Sequence, residues 1–362
     1  MSLILENIDH VVNGATHIEG VDLELAPGSF NVLLGRTLAG KTTLMRLMAG
    51  LEAPTRGRIL MDGEDVTGVS VRRRNVSMVY QQFINYPALK VYENIASPLR
   101  LAKVSVGEID RRVRETAEML HIEHLLDRYP LELSGGQQQR TAMGRALIKD
   151  ADVILFDEPL VNLDYKLREE LREELRALFS QRNCIAVYAT TEPGEALALG
   201  GNTAILHEGR LLQYGPTEDV YHRPRDIQAA EMFSEPPINI VQGTISGSEI
   251  TFDGGIHFPI NDDLRTLATG EYRFGIRASH ITLERQAEDD IEVEMTVDIA
   301  EISGSETFLH VHNDLFHMTV LLAGVHEFDP DDPVTLHFPP HKVYAFDRQG
   351  AAVHIPTHLG GM

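Results

Sequence analysis

Residues 30–34 (FNVLL) form a short apolar run that reads as a strand and ends at Gly35. Leu44, Leu47, Met48 and Leu51 then recur at i, i+3, i+4 and i+7, which predicts a helix with one face packed on a sheet. Residues 153–156 (VILF) are four consecutive apolar positions, the composition of a strand buried on both faces of a parallel sheet, and Asp157 and Glu158 close it. Ser134 followed three residues later by Gln137 is a capping box, so a helix is predicted to start there and run to about residue 148. Residues 165 to about 182 alternate Glu and Arg, the pattern of a solvated helix face with i,i+4 pairs. Cys184 opens a further apolar strand as a small core residue.

At 362 residues the chain suits two domains, and the break Glu235-Pro236-Pro237 offers the linker. Composition changes there. From 236 onward there are 6 Lys+Arg against 20 Asp+Glu, a net of −14, and ten of the sixteen histidines. The expected division is 1–235 and 236–362, with a helical insert at about 83–148 in the first domain. The total charge of −22 repels phosphate backbones, which excludes nucleic acid as a main partner. No apolar run approaches the roughly 20 residues that span a bilayer, no signal segment is evident, and one cysteine suits a reducing cytoplasmic address.

The candidate chemistry begins at Gly35-Arg36-Thr37-Leu38-Ala39-Gly40-Lys41-Thr42-Thr43, which satisfies G-x-x-x-x-G-K-[ST] between a strand and a helix. Backbone N–H groups of such a loop and the positive helix end cradle phosphate oxygens. Lys41 would neutralise the β- and γ-phosphates, and the Thr42 hydroxyl would ligate Mg²⁺. Asp157, at the C-terminal end of its strand, is the candidate for holding Mg²⁺ through water, and Glu158 could polarise the attacking water as a general base. Ser134-Gly135-Gly136-Gln137 is either a glycine-tolerant helix start or a second phosphate-binding helix end. His310, His312 and His317 carry a strand-face spacing that could suggest zinc, but no cysteine or paired acid in the sequence completes a site.

The string Leu133-Ser134-Gly135-Gly136-Gln137, lying between the phosphate loop and the Asp-Glu strand, resembles the nucleotide-binding subunit of ABC transporters. Val79-Tyr80-Gln81 resembles the family's Q-loop, and Tyr86-Pro87 with residues 91–94 (VYEN) the membrane-subunit contact region after it. Residues 158–164 (EPLVNLD) resemble the D-loop. Gly209-Arg210, Gly215-Pro216 and Val220-Tyr221 resemble the end of the cassette in sugar importers. Gly275-Ile276-Arg277, His280-Ile281 and residues 304–307 (GSET) resemble the C-terminal OB-like (TOBE) regulatory domain of maltose-type and glycerol-phosphate-type importers. The resemblance implies an α/β P-loop ABC ATPase cassette with a helical subdomain, followed by an antiparallel β-rich OB-like domain. It also implies ATP and Mg²⁺ as cofactors, Gln81 in metal binding and catalysis, and ATP held between two cassettes, the loop of one facing residues 134–137 of the other. Two membrane permease subunits and, indirectly, an extracytoplasmic solute-binding protein are the implied partners, with the chain peripheral on the cytoplasmic face of the inner membrane.

The departures from the family are specific. Thr191 stands where the family has a histidine that contacts the γ-phosphate. Threonine cannot place a ring N–H on the transferring group, and losing one such contact typically costs ~10²–10³ in rate. Arg36 and Leu38 replace the usual proline and glycine, and no aromatic lies near Val12 to stack on adenine, leaving His10 or His17 as substitutes or as plain surface residues. The loop wording and the replaced histidine resemble the glycerol-importer branch, so glycerol is the expected solute among carbohydrates and polyols. Weak Thr191 beside intact residues 134–137 points to an asymmetric heterodimer with a second ATPase, a homodimer being the alternative. The rival functions are a regulatory subunit that binds ATP with little hydrolysis and a soluble ABC-type ATPase not linked to transport.

Overall fold

A computed structural model describes residues 1–161, 163–253, 256–260 and 264–356. Asn162, within the D-loop-like segment, lies outside them. The chain divides into two compact units, Met1–Thr217 and Glu218–Met362.

In the first unit, β3 (Phe30–Leu34), β6 (Val76–Val79), β7 (Val153–Asp157), β8 (Ile185–Thr190) and β9 (Asn202–His207) form a parallel core in the order β9-β3-β8-β7-β6. β10 (Arg210–Pro216) adds an antiparallel edge beside β9. All five residues of β7 and all six of β8 are buried, as apolar strands covered on both faces must be. A second, antiparallel sheet has the order β2-β1-β4-β5, from β1 (Leu3–Val12), β2 (Ala15–Leu25), β4 (Arg56–Met61) and β5 (Glu64–Asp65). Helix α1 (Lys41–Ala49) packs Leu44, Met45, Leu47 and Met48 into a core shared by both sheets. The expected stripe loses its last member: Gly50 caps α1 in the left-handed conformation, so Leu51 falls outside the helix and is exposed.

Between β6 and β7 lie α2 (Val91–Leu101), α3 (Val106–Met119) and α4 (Gly135–Leu147). Ser134 is the N-cap of α4, and both arms of its capping box form: Ser134 Oγ accepts from the Gln137 N–H at 3.4 Å, and Gln137 Oε1 from the Ser134 N–H at 2.9 Å. Helix α5 (Tyr165–Gln181) is less solvated than its Glu/Arg pattern suggests. Leu171, Leu175 and Phe179, four residues apart, bury a continuous stripe, while Lys166 and Glu170 pair on the outside. Cys184 is buried and immediately precedes β8, and α6 (Pro193–Leu199) follows it.

The second unit begins earlier than the Pro-rich break. Helix α7 (Thr217–His222) lies at the division, and α8 (Ile227–Met232) packs Ile227 and Ala230 with Ile238, Tyr344 and Phe346. The apolar face of α8 is satisfied by the C-terminal strands, which draws the division back from 236 to 217. β11 (Asn239–Ser246), β12 (Glu249–Phe252), β13 (Ile256–Pro259), β14 (Gly270–Ile276), β19 (Tyr344–Phe346) and β20 (Ala352–His354) form one antiparallel sheet, ordered β13-β12-β11-β14-β19-β20. β15 (Ile291–Ser303), β16 (Glu306–His312), β17 (His317–Ala323) and β18 (Pro333–Phe338) form the other, ordered β17-β16-β15-β18. Alternate residues of the two sheets share one apolar core. His312 and His317 face each other across β16 and β17, with their Nδ1 atoms 2.7 and 3.6 Å from the two carboxylate oxygens of Asp298. Among the described residues no group of three or more His, Cys, Asp or Glu is arranged to hold a metal ion.

Candidate functional site

The loops after β3 and β7 open on one cleft of about 500 Å³, lined by Thr16, His17, residues 37–43, Gln81, Glu158, Glu208 and Gly209. Its floor is the loop after β3. Gly35 lies so close to β9 that a Cβ would meet Leu206 O at 2.5 Å, and Gly40 has φ of 103°. Both positions therefore demand glycine. Leu38 takes φ of 69° without being glycine, its side chain 94% exposed, so the loop holds local strain where the family resemblance leads one to expect glycine.

Lys41 is 4% exposed. Its Nζ donates to the loop carbonyls of Gly35 at 2.7 Å and Arg36 at 3.2 Å, and lies 3.4 Å from Glu158 Oε1. Burial pushes the ammonium below the usual lysine range, with Glu158 pulling the other way. A phosphate oxygen would supply the counter-charge that Glu158 and the carbonyls provide here. The Thr42 hydroxyl lies 3.0 and 2.9 Å from the two carboxylate oxygens of Asp157, which is 2% exposed. Burial pushes the Asp157 carboxyl above the usual range, against the hydrogen bond from Thr42. This oxygen-only pair suits a small hard cation such as Mg²⁺.

Glu158 leaves β7 with φ of 49°, another left-handed non-glycine residue at the working end of the sheet. Its Oε2 accepts from Gln81 Nε2 at 3.0 Å, so Gln81 and Lys41 meet on the Glu158 carboxylate. Thr191 is exposed and lines a small pocket with Glu158, Leu160, Val161, Arg168, Thr190, Glu192 and Glu195. His17 lines the cleft, whereas His10 is buried with Nε2 3.1 Å from Glu52 Oε2. Of the two histidines, His17 is thus the one placed to face a ligand.

Residues 134–136 line a separate surface depression with Phe83, Arg140, Leu163, Asp164 and Leu167. They and the loop at 35–43 do not share a cleft within one chain. The sequence reading missed the cleft wall at Thr16, Glu208 and Gly209, since it is made by hairpins distant along the chain, and missed Glu195, whose one sequence signal is an acid in the first turn of a Pro-initiated helix.

The chain matches the ABC transporter family model over residues 18–161 and the TOBE domain model over 274–346. It is 38% identical to the sn-glycerol-3-phosphate import ATP-binding protein UgpC of Salmonella typhimurium, covering 92% of this chain and 93% of that one. The chain belongs to the ABC transporter family. The UgpC of Escherichia coli K12 is 36% identical over the same shares. Among solved structures, the cassette resembles dimeric MJ0796 bound to ADP and phosphate, at a TM-score of 0.55 and 27% identity, covering 59% of this chain and 98% of that one. It likewise resembles cbiO1 of Clostridium perfringens, at 0.55 and 25%, covering 61% and 90%. As an ABC transporter ATPase subunit, the chain binds and hydrolyses ATP. Among the described residues no helix is long and apolar enough to cross a membrane.

Proposed function

We propose that this ATPase energises import of a small polyol solute of the glycerol or glycerol-phosphate class, from the cytoplasmic face of the inner membrane. The UgpC relatives' named solute and the glycerol-branch wording of residues 35–42 support this solute class. An extracytoplasmic binding protein would deliver the solute to two permease subunits and never touch this chain.

The convergence of Lys41, Thr42, Asp157, Glu158 and Gln81 on one cleft carries the reading of the chemistry. Residues 35–43 wrap the phosphates with backbone N–H groups, and Lys41 exchanges its contacts with Glu158 and the loop carbonyls for the β- and γ-phosphates. Thr42 and Asp157, with Gln81, would hold Mg²⁺, which would supply charge neutralisation to the phosphates. Glu158, released from Lys41, takes a proton from the attacking water while Gln81 orients it. Lys41→Ala is expected to abolish ATP-dependent uptake of labelled glycerol or sn-glycerol 3-phosphate by membrane vesicles. Uptake by the variant within twofold of wild type would overturn the phosphate-loop role, and uptake of neither solute by wild-type vesicles would overturn the solute class.

We also infer an asymmetric pairing with a second ATPase. Thr191 deprives the site built on Lys41 and Glu158 of a ring contact, whereas the string Ser134, Gly135, Gly136 and Gln137 is intact, with Ser134 and Gly135 exposed and residues 134–136 lining a depression apart from that site. A chain specialised to complete its neighbour's site would have this combination.

A further inference from the structure

We propose that Glu195 is a positioning residue for ATP hydrolysis, fixing through Thr190 the strand end on which Gly35, Glu158 and Thr191 all depend. The inference rests on the role proposed for Lys41 and Glu158.

Glu195 sits in the first turn of α6 and is 7% exposed, an expensive place for a carboxylate without partners. Its Oε1 accepts from the Tyr188 hydroxyl at 2.6 Å, and its Oε2 accepts from the Thr190 hydroxyl at 2.5 Å. Thr190 Oγ1 in turn accepts from the Glu192 N–H at 3.0 Å, and Glu192 is clamped by Arg168 at 3.0 Å. Thr191 is thereby held between two anchored neighbours. The same strand end carries the rest of the site. The Gly35 N–H donates to Thr190 O at 3.3 Å, which seats the phosphate loop, and the Glu158 N–H donates to Ala189 O at 3.1 Å, which seats the base. Burial pushes the Glu195 carboxyl upward against the pull of the two hydroxyls.

A threonine at 191 makes the arrangement consequential. Its short side chain cannot swing to follow the γ-phosphate, so the reach of residue 191 is set by the backbone that Glu195 holds. A displacement of about 1 Å in a catalytic constellation can cost on the order of 10²-fold in rate.

The test uses the full chain assembled with its permease in membrane vesicles, with kcat, KM for ATP and the melting temperature read together. Glu195→Gln keeps volume but turns one acceptor into a donor. It is expected to lower kcat at least about tenfold while KM stays within about twofold. Thr190→Val should lower kcat at least as far, since it also frees the Glu192 N–H, and the double variant should be no worse than Thr190→Val, which already removes the link to Glu195. Tyr188→Phe removes the other bond to Glu195, away from the cleft, and should lower the melting temperature with kcat within about threefold. Glu195→Gln turnover within twofold of wild type overturns the proposal, as do multiplicative losses in the double variant. If Glu195→Gln does not fold, Thr190→Val decides by the same limits. Glu158→Gln separates the two readings: unchanged turnover there overturns the site itself, whereas its loss beside an unaffected Glu195→Gln overturns the positioning role.

Discussion

Asp157 is held where ionisation is costly. Its side chain is buried, and burial raises its pKa in the folded chain above that of the unfolded one. An acid whose folded pKa is raised favours the fold below its unfolded pKa and loses that contribution as pH rises through the folded value. At neutral pH, then, the carboxylate destabilises the chain on its own. Asp157→Asn is expected to melt higher than wild type at pH 8, with the gap closing toward about pH 4, the ordinary range of an aspartate. The same variant should lose ATP-dependent transport, a trade of stability against function of the kind buried functional groups impose. Thermal melts of both proteins across that pH range check the sign. A gap that widens on acidification would show that the bond from Thr42 outweighs burial.

At the scale of elements, the stretch from Phe83 to Lys90 is fixed from behind and open in front. Asn94, fully buried in α2, donates to the carbonyls of Tyr86, Leu89 and Lys90 at 2.8 to 3.1 Å and accepts from the Tyr86 N–H. From α4, Arg145 donates to Ile84 O and lies 4.8 Å over the Tyr86 ring, and Gln138 O accepts from Asn85. With its backbone tied to two helices, this irregular stretch holds Ile84, Tyr86 and Leu89 exposed on its outer side. Such a rigid apolar patch fits a short amphipathic helix of a permease subunit. A cysteine at position 86 is expected to crosslink to a permease subunit in assembled membranes, and crosslinking that never captures a membrane protein would remove the assignment. Much of this scale was legible beforehand. Strand β7 and the start of α4 follow from an apolar run and a capping box, both local signals. The buried stripe of α5 was hidden because its three apolar members are outnumbered by Glu and Arg.

For the whole molecule, the open question of pairing is decided by turnover. The chain purified alone is expected to hydrolyse ATP far more slowly than when combined with a second ATPase carrying the histidine that Thr191 replaces; equal rates for homodimer and complete transporter would rule out the asymmetric pairing. The phosphate-loop motif, the Asp157-Glu158 strand end and the string at 134–137 are legible in the sequence, since each is contiguous and its chemistry depends on residue type and spacing. Which of them share a cleft depends on strands far apart along the chain. Folding brings Gln81 to Glu158 and Thr42 to Asp157, sets residues 134–136 on another surface, and leaves His17 lining the cleft while His10 is buried. It also drew the division between units to Thr217, because the apolar face of α8 finds its partners on strands more than a hundred residues later. Glu195 belongs to the same class. An acid in a helix's first turn is unremarkable in sequence, and its role arises from the buried hydroxyls that strand β8 turns toward it.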